Sequence, residues 1–484
     1  MDHRITVKVD DVKVAEFKAS SASSNWDVQL RSGMLESVRK VGATLLERED
    51  EDLRGKVPEG WQNEGKVKRQ VETVVGWVDI RRRVYTDERG EKHKPLDEGI
   101  GLEPYQRGTL SLQQMGAYLA SRCPYRHAAE LLGWLIGTRV TPDKIKRMVW
   151  AIGGELQAAE QAERELVFER GGEVAAGTIT NDILYAEMDG VWLSLQREEK
   201  RRTEARLGIF YTGKDALGKG RYALRDKVSV AGLVEDSEEW QERSFLRAYQ
   251  HYDLQHVQHI VLGGDGGNWI RDSLACFEQP ATYELCGFHL FRDARRTVSS
   301  EPEELIRIVR TACEKGLPAV EEDLHQLLIR SQGKEREKLI KFYNYLCNQA
   351  DALVDHRIRL GLHGKQYRGL GAIEGNVDKQ VAQRMKRRGM SWRIAGAKAM
   401  LALCMHRDVL AEMALRPRSP EIEKNPVPRY RRRRDPKTDH AAWLYASVPA
   451  RNGPAEGRPW VQKLRQMLNG TPDLPVAYAL PSNS

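Results

Sequence analysis

Apolar residues recur at helical spacing through residues 31–56, at Met34, Val38, Val41, Leu45 and Leu46, and predict one charged helix. Alternation then takes over. Val71-Glu72-Thr73-Val74 and Trp77-Val78-Asp79-Ile80 carry the period of two that marks half-buried strands, and after Val84-Tyr85 the polar turn Asp87-Glu88-Arg89-Gly90 leads towards Leu96. These segments predict a small sheet or hairpin bearing Arg81, Arg82 and Arg83, a trio whose ordinary reading is a solvated edge that discourages aggregation.

Residues 109–153 break into three short helical patterns. The first runs from Ser111 to about Ser121; Pro124 opens the second, with Ala128, Ala129, Leu131 and Leu132. The third has Thr141 as N-cap, Pro142 at the first helical position, and Ile145, Met148 and Val149 as its apolar stripe. Three short helices with a basic third one fit a helix-turn-helix, in which Lys144, Lys146 and Arg147 would contact a DNA groove or its phosphates. A plain helical bundle fits the same pattern equally. A charged helical stretch, 154–170, leads onward.

From residue 180 strands dominate: Ile183–Met188, Val191–Leu195, Leu207–Tyr211 and Val228–Val234. A short buried strand, His259–Leu262, ends at Gly263-Gly264-Asp265-Gly266-Gly267; a helix from Asn268, a strand Thr282–Leu285 and then Cys286-Gly287-Phe288-His289 follow. Strands that give way to strand–helix–strand–helix predict an α/β fold with a mixed sheet. Stripes at Leu305, Ile308 and Val309, then Leu324, Leu327 and Leu328, make 301–365 an all-helical insertion, and one long helix is expected over 371–411. The division is thus 1–108 (N-terminal helix and small β region), 109–170 (helix-turn-helix-like region and linker helix), 171–300 with 366–412 (α/β unit), 301–365 (insertion), and 413–484 (a basic, Pro-rich tail with Arg431 to Arg434 in a row).

Composition narrows the function classes. Of 484 residues 40% are hydrophobic and 30% charged, enough for a sizeable core and against a mostly disordered chain. The longest apolar runs, such as Ala399–Met405, are a third of the ~20 residues a membrane span needs, and the start MDHRITVKVDD lacks a signal-peptide core, so a cytoplasmic protein with no membrane association is expected. Six cysteines without CxxC spacing argue against a disulfide framework or a structural zinc site. The net charge of +8 is a weak pointer to nucleic acid, but the basic residues concentrate at 379–393 and 416–437.

Three carboxylates stand out by context. Asp189 lies within the strand pattern Glu187-Met188-Asp189-Gly190-Val191-Trp192, where a buried carboxylate is costly unless it is paired or binds metal. Asp265 follows a strand inside a glycine cluster, the place where α/β sheets put ligand sites. Glu374 opens a helix, with Asp378 one turn on and on the same face. Two strand carboxylates and one from a helix can converge on two Mg²⁺ ions, with Mn²⁺ as a substitute, in the arrangement that drives phosphodiester displacement. Among 69 acidic residues many such triples exist, and a cap or surface acid is the ordinary reading of any one.

The stretches EMDGVW, GGDGGNWI, CGFHLF and GAIEGNVDKQVAQRMKRRGMSW, in that order, resemble bacterial insertion-sequence transposases of the ISLre-two type, relatives of the Mutator-like transposases. The resemblance covers about residues 70 to 410, and its GAIEGNVDK…KRRGM block is the most specific part. It implies an RNase H-like catalytic domain of the DDE class, with Asp189, Asp265 and Glu374 as catalytic, metal-holding residues. The longer gap, from 265 to 374, would hold the helical insertion. Cys286 and His289 match the C/D-x-x-H motif of these enzymes and imply a supporting role near the scissile phosphate. A buried cysteine and a satisfied histidine are the rival reading.

Lys379, Arg384, Lys386, Arg387, Arg388 and Arg393, with Trp392 nearby, follow Glu374 closely and are expected to grip the DNA backbone, although a solvated helix face is the usual reason for such a run. Trp192 and Trp269 are expected in the core. The resemblance therefore implies a transposase that binds the terminal inverted repeats of its element and target DNA, both double-stranded, as a homodimer or higher oligomer at the bacterial nucleoid. An RNase H-like nuclease without strand transfer and a non-catalytic DNA-binding descendant remain alternatives.

Overall fold

The computed structural model describes residues 2–415 except 235, 299–301 and 388; the basic tail and Arg388 lie outside the described residues. Two compact units make up the chain, one from residues up to Glu155 together with the stretch from His406, the other Leu156–Met405.

The first unit opens with an antiparallel hairpin, β1 (Asp2–Val9) and β2 (Val12–Ser20), which the hydrophobic pattern did not reveal. Helix α1 (Trp26–Leu53) packs on β2, close enough that a side chain at Gly33 would run into the Phe17 ring. β3 (Gln62–Thr73), β4 (Gly76–Thr86) and the short β5 (Lys92–His93) form an antiparallel sheet in that order, followed by α2 (Pro95–Gly99). Val71, Val78, Ile80, Leu96 and Leu102 make its core.

The expected hairpin is present but longer, and the arginine trio departs from its expected exposure. Over the trio β4 pairs only with β3, yet only Arg81 faces solvent, because the neighbouring helices cover Arg82 and Arg83. Arg82 Nε donates to Asp97 Oδ1 at 2.7 Å, and Arg83 bonds Asp50 Oδ2 at 2.8 Å and Glu51 Oε2 at 2.6 Å, tying the sheet to α2 and α1.

Helices α3 (Leu110–Arg122), α4 (Tyr125–Ile136) and α5 (Pro142–Arg164) follow as the apolar spacing predicts. The Thr109 hydroxyl caps α3, Gly137 ends α4 in the left-handed region at φ 67°, and Thr141 Oγ1 accepts from Lys144 N at 3.3 Å to start α5. Leu112, Leu132, Ile136, Ile145 and Val149 are fully buried among them. α5 absorbs the stretch expected as a separate linker, and the division between units falls within it.

The second unit is built on a five-stranded sheet. Its strands are β6 (Ile183–Ser194), β7 (Arg202–Tyr211), β10 (Val228–Gly232), β11 (His259–Gly264) and β12 (Ala281–Leu285), in the order β10-β7-β6-β11-β12. β8 (Gly213–Gly218) and β9 (Arg221–Arg225) form a separate hairpin. β10, β7 and β6 run antiparallel, while β6, β11 and β12 are parallel, so the α/β mixed sheet is as expected. β6 is central and buried on both faces over most of its length, which explains why its sequence does not alternate. Leu184, Ala186 and Met188 point into a core shared with Trp240 of α6 (Ser237–Tyr249), whereas Tyr185, Glu187 and Asp189 point to the other face.

α7 (Asn268–Arg271) follows β11 and α8 (Gly287–Thr297) follows β12. Helices α9 (Pro302–Lys315), α10 (Glu321–Arg330), α11 (Gly333–Asn348) and the short α12 (His356–Arg359) then fill the expected helical stretch. Leu305, Ile308, Leu324 and Leu346 share a core with Leu290 and Ala294 of α8.

The single helix expected over 371–411 is instead broken. α13 (Ile373–Asn376) runs into a π-helical turn, Val377–Ala382, then α14 (Gln383–Met385), α15 (Ile394–Met405) and α16 (Arg407–Leu415). Between α14 and α15, Gly389 adopts φ +65°, and Trp392 pairs with the end of β6 through Trp392 N to Ser194 O and Gln196 N to Trp392 O, both 2.9 Å. A strand-like bridge and a continuous helix cannot share these backbone groups.

Candidate active site

Asp189, Asp265 and Glu374 come from three separate elements and gather at one end of the sheet. The register of β6 and β11 pairs Glu187 with Gly263. Two residues on, the same parallel register brings Asp189 level with Asp265, which follows β11 directly. Asp265 Oδ1 accepts from Gly267 N at 3.0 Å, its carbonyl accepts from the Tyr345 hydroxyl at 3.0 Å, and Gly266 turns the chain at φ +98°. Asp189 is nearly buried, and its Oδ1 accepts from Gly190 N at 2.8 Å. Burial, reinforced first by Glu374 and then by Asp265 and Glu204, pushes its carboxyl up to about 7.

Glu374 and Asp189 line one cleft together with His289, Arg292, Asp378, Lys386 and Arg387. His289 Nε2 lies 3.0 Å from Glu374 Oε1, and Cys286, His289 and Glu374 offer ligand atoms within 4.8 Å of one another. The Cys286 thiol, however, is pushed up to about 11, chiefly by burial, so it is a poor thiolate donor. The hard carboxylate oxygens fit a divalent cation such as Mg²⁺ better. One feature supports that fit: the burial and the neighbouring carboxylates that raise Asp189 disfavour its charged form, and a cation would offset both.

The basic residues expected at the DNA divide. Lys386, Arg387 and Lys379 are exposed, and Arg387 pairs with Asp378. Arg384 is buried instead, its guanidinium 5.1 Å over the Trp392 ring and its Nη1 3.4 Å from Met390 Sδ. Trp392 is likewise buried, its indole donating to Met385 O at 2.8 Å. The π-helical turn and the break after α14 rotate this face inward, so neither residue is a surface contact. Trp269 packs edge-on against Trp240 as expected, whereas Trp192, near the end of β6, is 54% exposed and not in the core.

In the first unit, Lys144 is only partly exposed. It pairs with buried Glu72 of β3 and sits 5.4 Å over the Trp77 ring, so it braces the helix against the sheet. Lys146 lies 4.8 Å over the Trp150 ring and Arg147 is exposed.

Three residues of the site escaped the sequence reading. Glu204 on β7 approaches so closely that a Cβ on Gly190 would lie 2.1 Å from its Oε1, and burial raises its carboxyl with Asp265 adding to the effect. Arg292, one turn after His289, lines the cleft while bonding Asp293 at 2.9 Å. Glu187 is 1% exposed on the same strand face as Asp189. The signal that singles out Asp189, a carboxylate in an apolar strand, was equally present at Glu187, two residues earlier.

Among the described residues no helix is long and apolar enough to cross a membrane. A protein of Streptococcus gallolyticus described as the UPF0236 protein in the vanSb 3′ region is 27% identical over 405 residues, which cover 80% of this chain and 83% of that protein. The sequence profile of the uncharacterised protein family UPF0236 matches residues 26–410, from α1 past the Glu374 segment, and the chain belongs to that family.

Proposed function

We propose that this protein is a DDE-type DNA transposase with an RNase H-like catalytic domain, acting on the ends of its own insertion sequence. The observation that carries the reading is the meeting of Asp189, Asp265 and Glu374 at one end of a sheet ordered β10-β7-β6-β11-β12, with a cleft bordered by Lys386, Arg387 and Arg292. Two bound divalent ions, Mg²⁺ or Mn²⁺, would supply an activated attacking oxygen and charge neutralisation at the leaving one.

The chain's own residues do the rest. Asp189, Asp265 and Glu374 would hold the cations, each through carboxylate oxygens. His289 orients Glu374, and the exposed Lys386 and Arg387 hold the DNA backbone beside the scissile phosphate. Water serves as the first nucleophile and a DNA 3′-hydroxyl as the second, so no covalent protein–DNA intermediate forms. The α3–α5 region binds the terminal inverted repeats, and pairing of two element ends calls for a homodimer or larger assembly in the bacterial cytoplasm.

The test is strand cleavage of a labelled duplex carrying the element's end. Nicking at the repeat boundary that needs Mg²⁺ or Mn²⁺ and disappears in Asp265→Ala, with DNA binding retained, is the expected result. Cleavage without strand transfer points to an RNase H-like nuclease. Binding without cleavage in either metal refutes the enzymatic reading and leaves a DNA-binding protein.

A further inference from the structure

Glu187 is a further acidic residue of the site, and its carboxylate is occupied by the protein itself. Oε2 accepts from three successive backbone amides, Gly371 N at 2.8 Å, Ala372 N at 2.8 Å and Ile373 N at 3.2 Å. Oε1 accepts from the Tyr211 hydroxyl at 2.6 Å. Lys214 Nζ stands 3.9 Å from Oε1 and donates to Gly369 O at 2.6 Å, closing the same stretch from its other side. The amides of Ala372 and Ile373 are unsatisfied donors at the start of α13, whose N-cap position is Ala372 and offers no side-chain oxygen, and Gly371 directly precedes it.

α13 is four residues long and leads into a π-helical turn, so it has little stability of its own. Glu187, from β6, supplies the cap that the local sequence lacks, and its negative charge suits the amide end of the helix. The next residue after the three captured amides is Glu374. We infer that Glu187 is the positioning residue that clamps the Glu374 segment to β6 and so sets the separation between Glu374 and Asp189. The inference rests on the metal-site reading above and adds to it a residue that touches neither cation nor DNA.

Capture of three amides by one carboxylate needs an acceptor at every contact. Gln at 187 turns one oxygen into a donor facing donors, and Asp retains the charge but withdraws it by one methylene. The full-length protein is compared as wild type, Glu187→Gln, Glu187→Asp and Glu374→Gln, with two readouts: hydrogen exchange of the amides of 371–373 without metal, and Mn²⁺ affinity by calorimetry.

In Glu187→Gln, exchange at 371–373 should accelerate about tenfold or more while β7 and β12 stay protected, and Mn²⁺ should bind about 10- to 100-fold more weakly, as when a group orienting a ligand is lost. Glu374→Gln should lose Mn²⁺ affinity yet keep slow exchange. Unchanged exchange or unchanged Mn²⁺ affinity in Glu187→Gln overturns the inference. So does loss of Mn²⁺ with exchange unaltered, because Glu187 would then be a ligand. Should Glu187→Gln fail to fold, Glu187→Asp is read by the same criteria. A wild-type protein that binds no Mn²⁺ through Asp189 and Glu374 sinks the metal-site reading instead. The exchange result then decides whether the clamp exists apart from it.

Discussion

Asp189→Asn should make the metal-free protein more stable at neutral pH and leave it little changed in acid. The Asp189 carboxyl rises from the ordinary 3.8 to about 7, because it is buried beside Glu374 with Asp265 and Glu204 nearby. At about 1.4 kcal/mol per tenfold change in proton affinity, this amounts to about 4 kcal/mol of destabilisation once the group is ionised in the folded chain. The sign follows from the raised value. Below about pH 4 the carboxyl is protonated whether the chain is folded or not, and it has no effect on their balance. As pH climbs from about 4 to about 7 the unfolded chain ionises first, so wild-type stability falls across that window and levels off above it. Asparagine is close to isosteric and keeps an acceptor for Gly190 N, so it removes the titration and little else.

The assay is the stability of the β6-bearing unit in EDTA, read from exchange of β6 amides as urea is raised, for both proteins at pH 4 and pH 8. The variant's advantage should grow by about 4 kcal/mol between the two, and excess Mg²⁺ at pH 8 should shrink it by stabilising only the wild type. An advantage that is the same at both pH values would refute the argument, since it would mean Asp189 is not held in a charge-repelling pocket.

Two further predictions separate buried arginines from exposed ones. Arg83→Ala leaves Asp50 buried without its partner and should lower stability by about 3–5 kcal/mol in thermal or urea unfolding, whereas Arg81→Ala should fall within about 0.5 kcal/mol; equal effects would contradict the burial of Arg83. Lys386→Ala and Arg387→Ala should each reduce the salt dependence of DNA binding by about one phosphate contact without destabilising the fold. Arg384→Ala should do the reverse, lowering stability while leaving the salt slope unchanged.

Much of this protein is legible along the chain because the relevant physics is local. The α3–α5 helices follow from apolar spacing together with Thr109, Gly137 and Thr141 at their ends, and the helical stretch after α8 follows from leucine stripes that bury one face. Asp189 and Asp265 were visible as carboxylates that strand burial or a glycine-dense turn makes expensive to place by chance. Glu374 stood out as the opening acid of a helix, and the likeness of the surrounding segments to a known transposase type joined the three.

Other features depend on which surfaces meet, and no local pattern encodes that. A run of arginines looks the same whether or not helices cover it, and it is the packing of α2 and α1 on β4 that buries Arg82 against Asp97 and Arg83 against Asp50. The periodicity of 371–411 suits one helix, but Trp392 is drawn out to bridge the end of β6, and that break turns Arg384 inward. Glu187 carries the same local signal as Asp189, yet the backbone amides it captures lie 184 to 186 positions further along the chain. A carboxylate's need for donors is written in the sequence. Which donors satisfy it is settled only when β6 and the Glu374 segment come together.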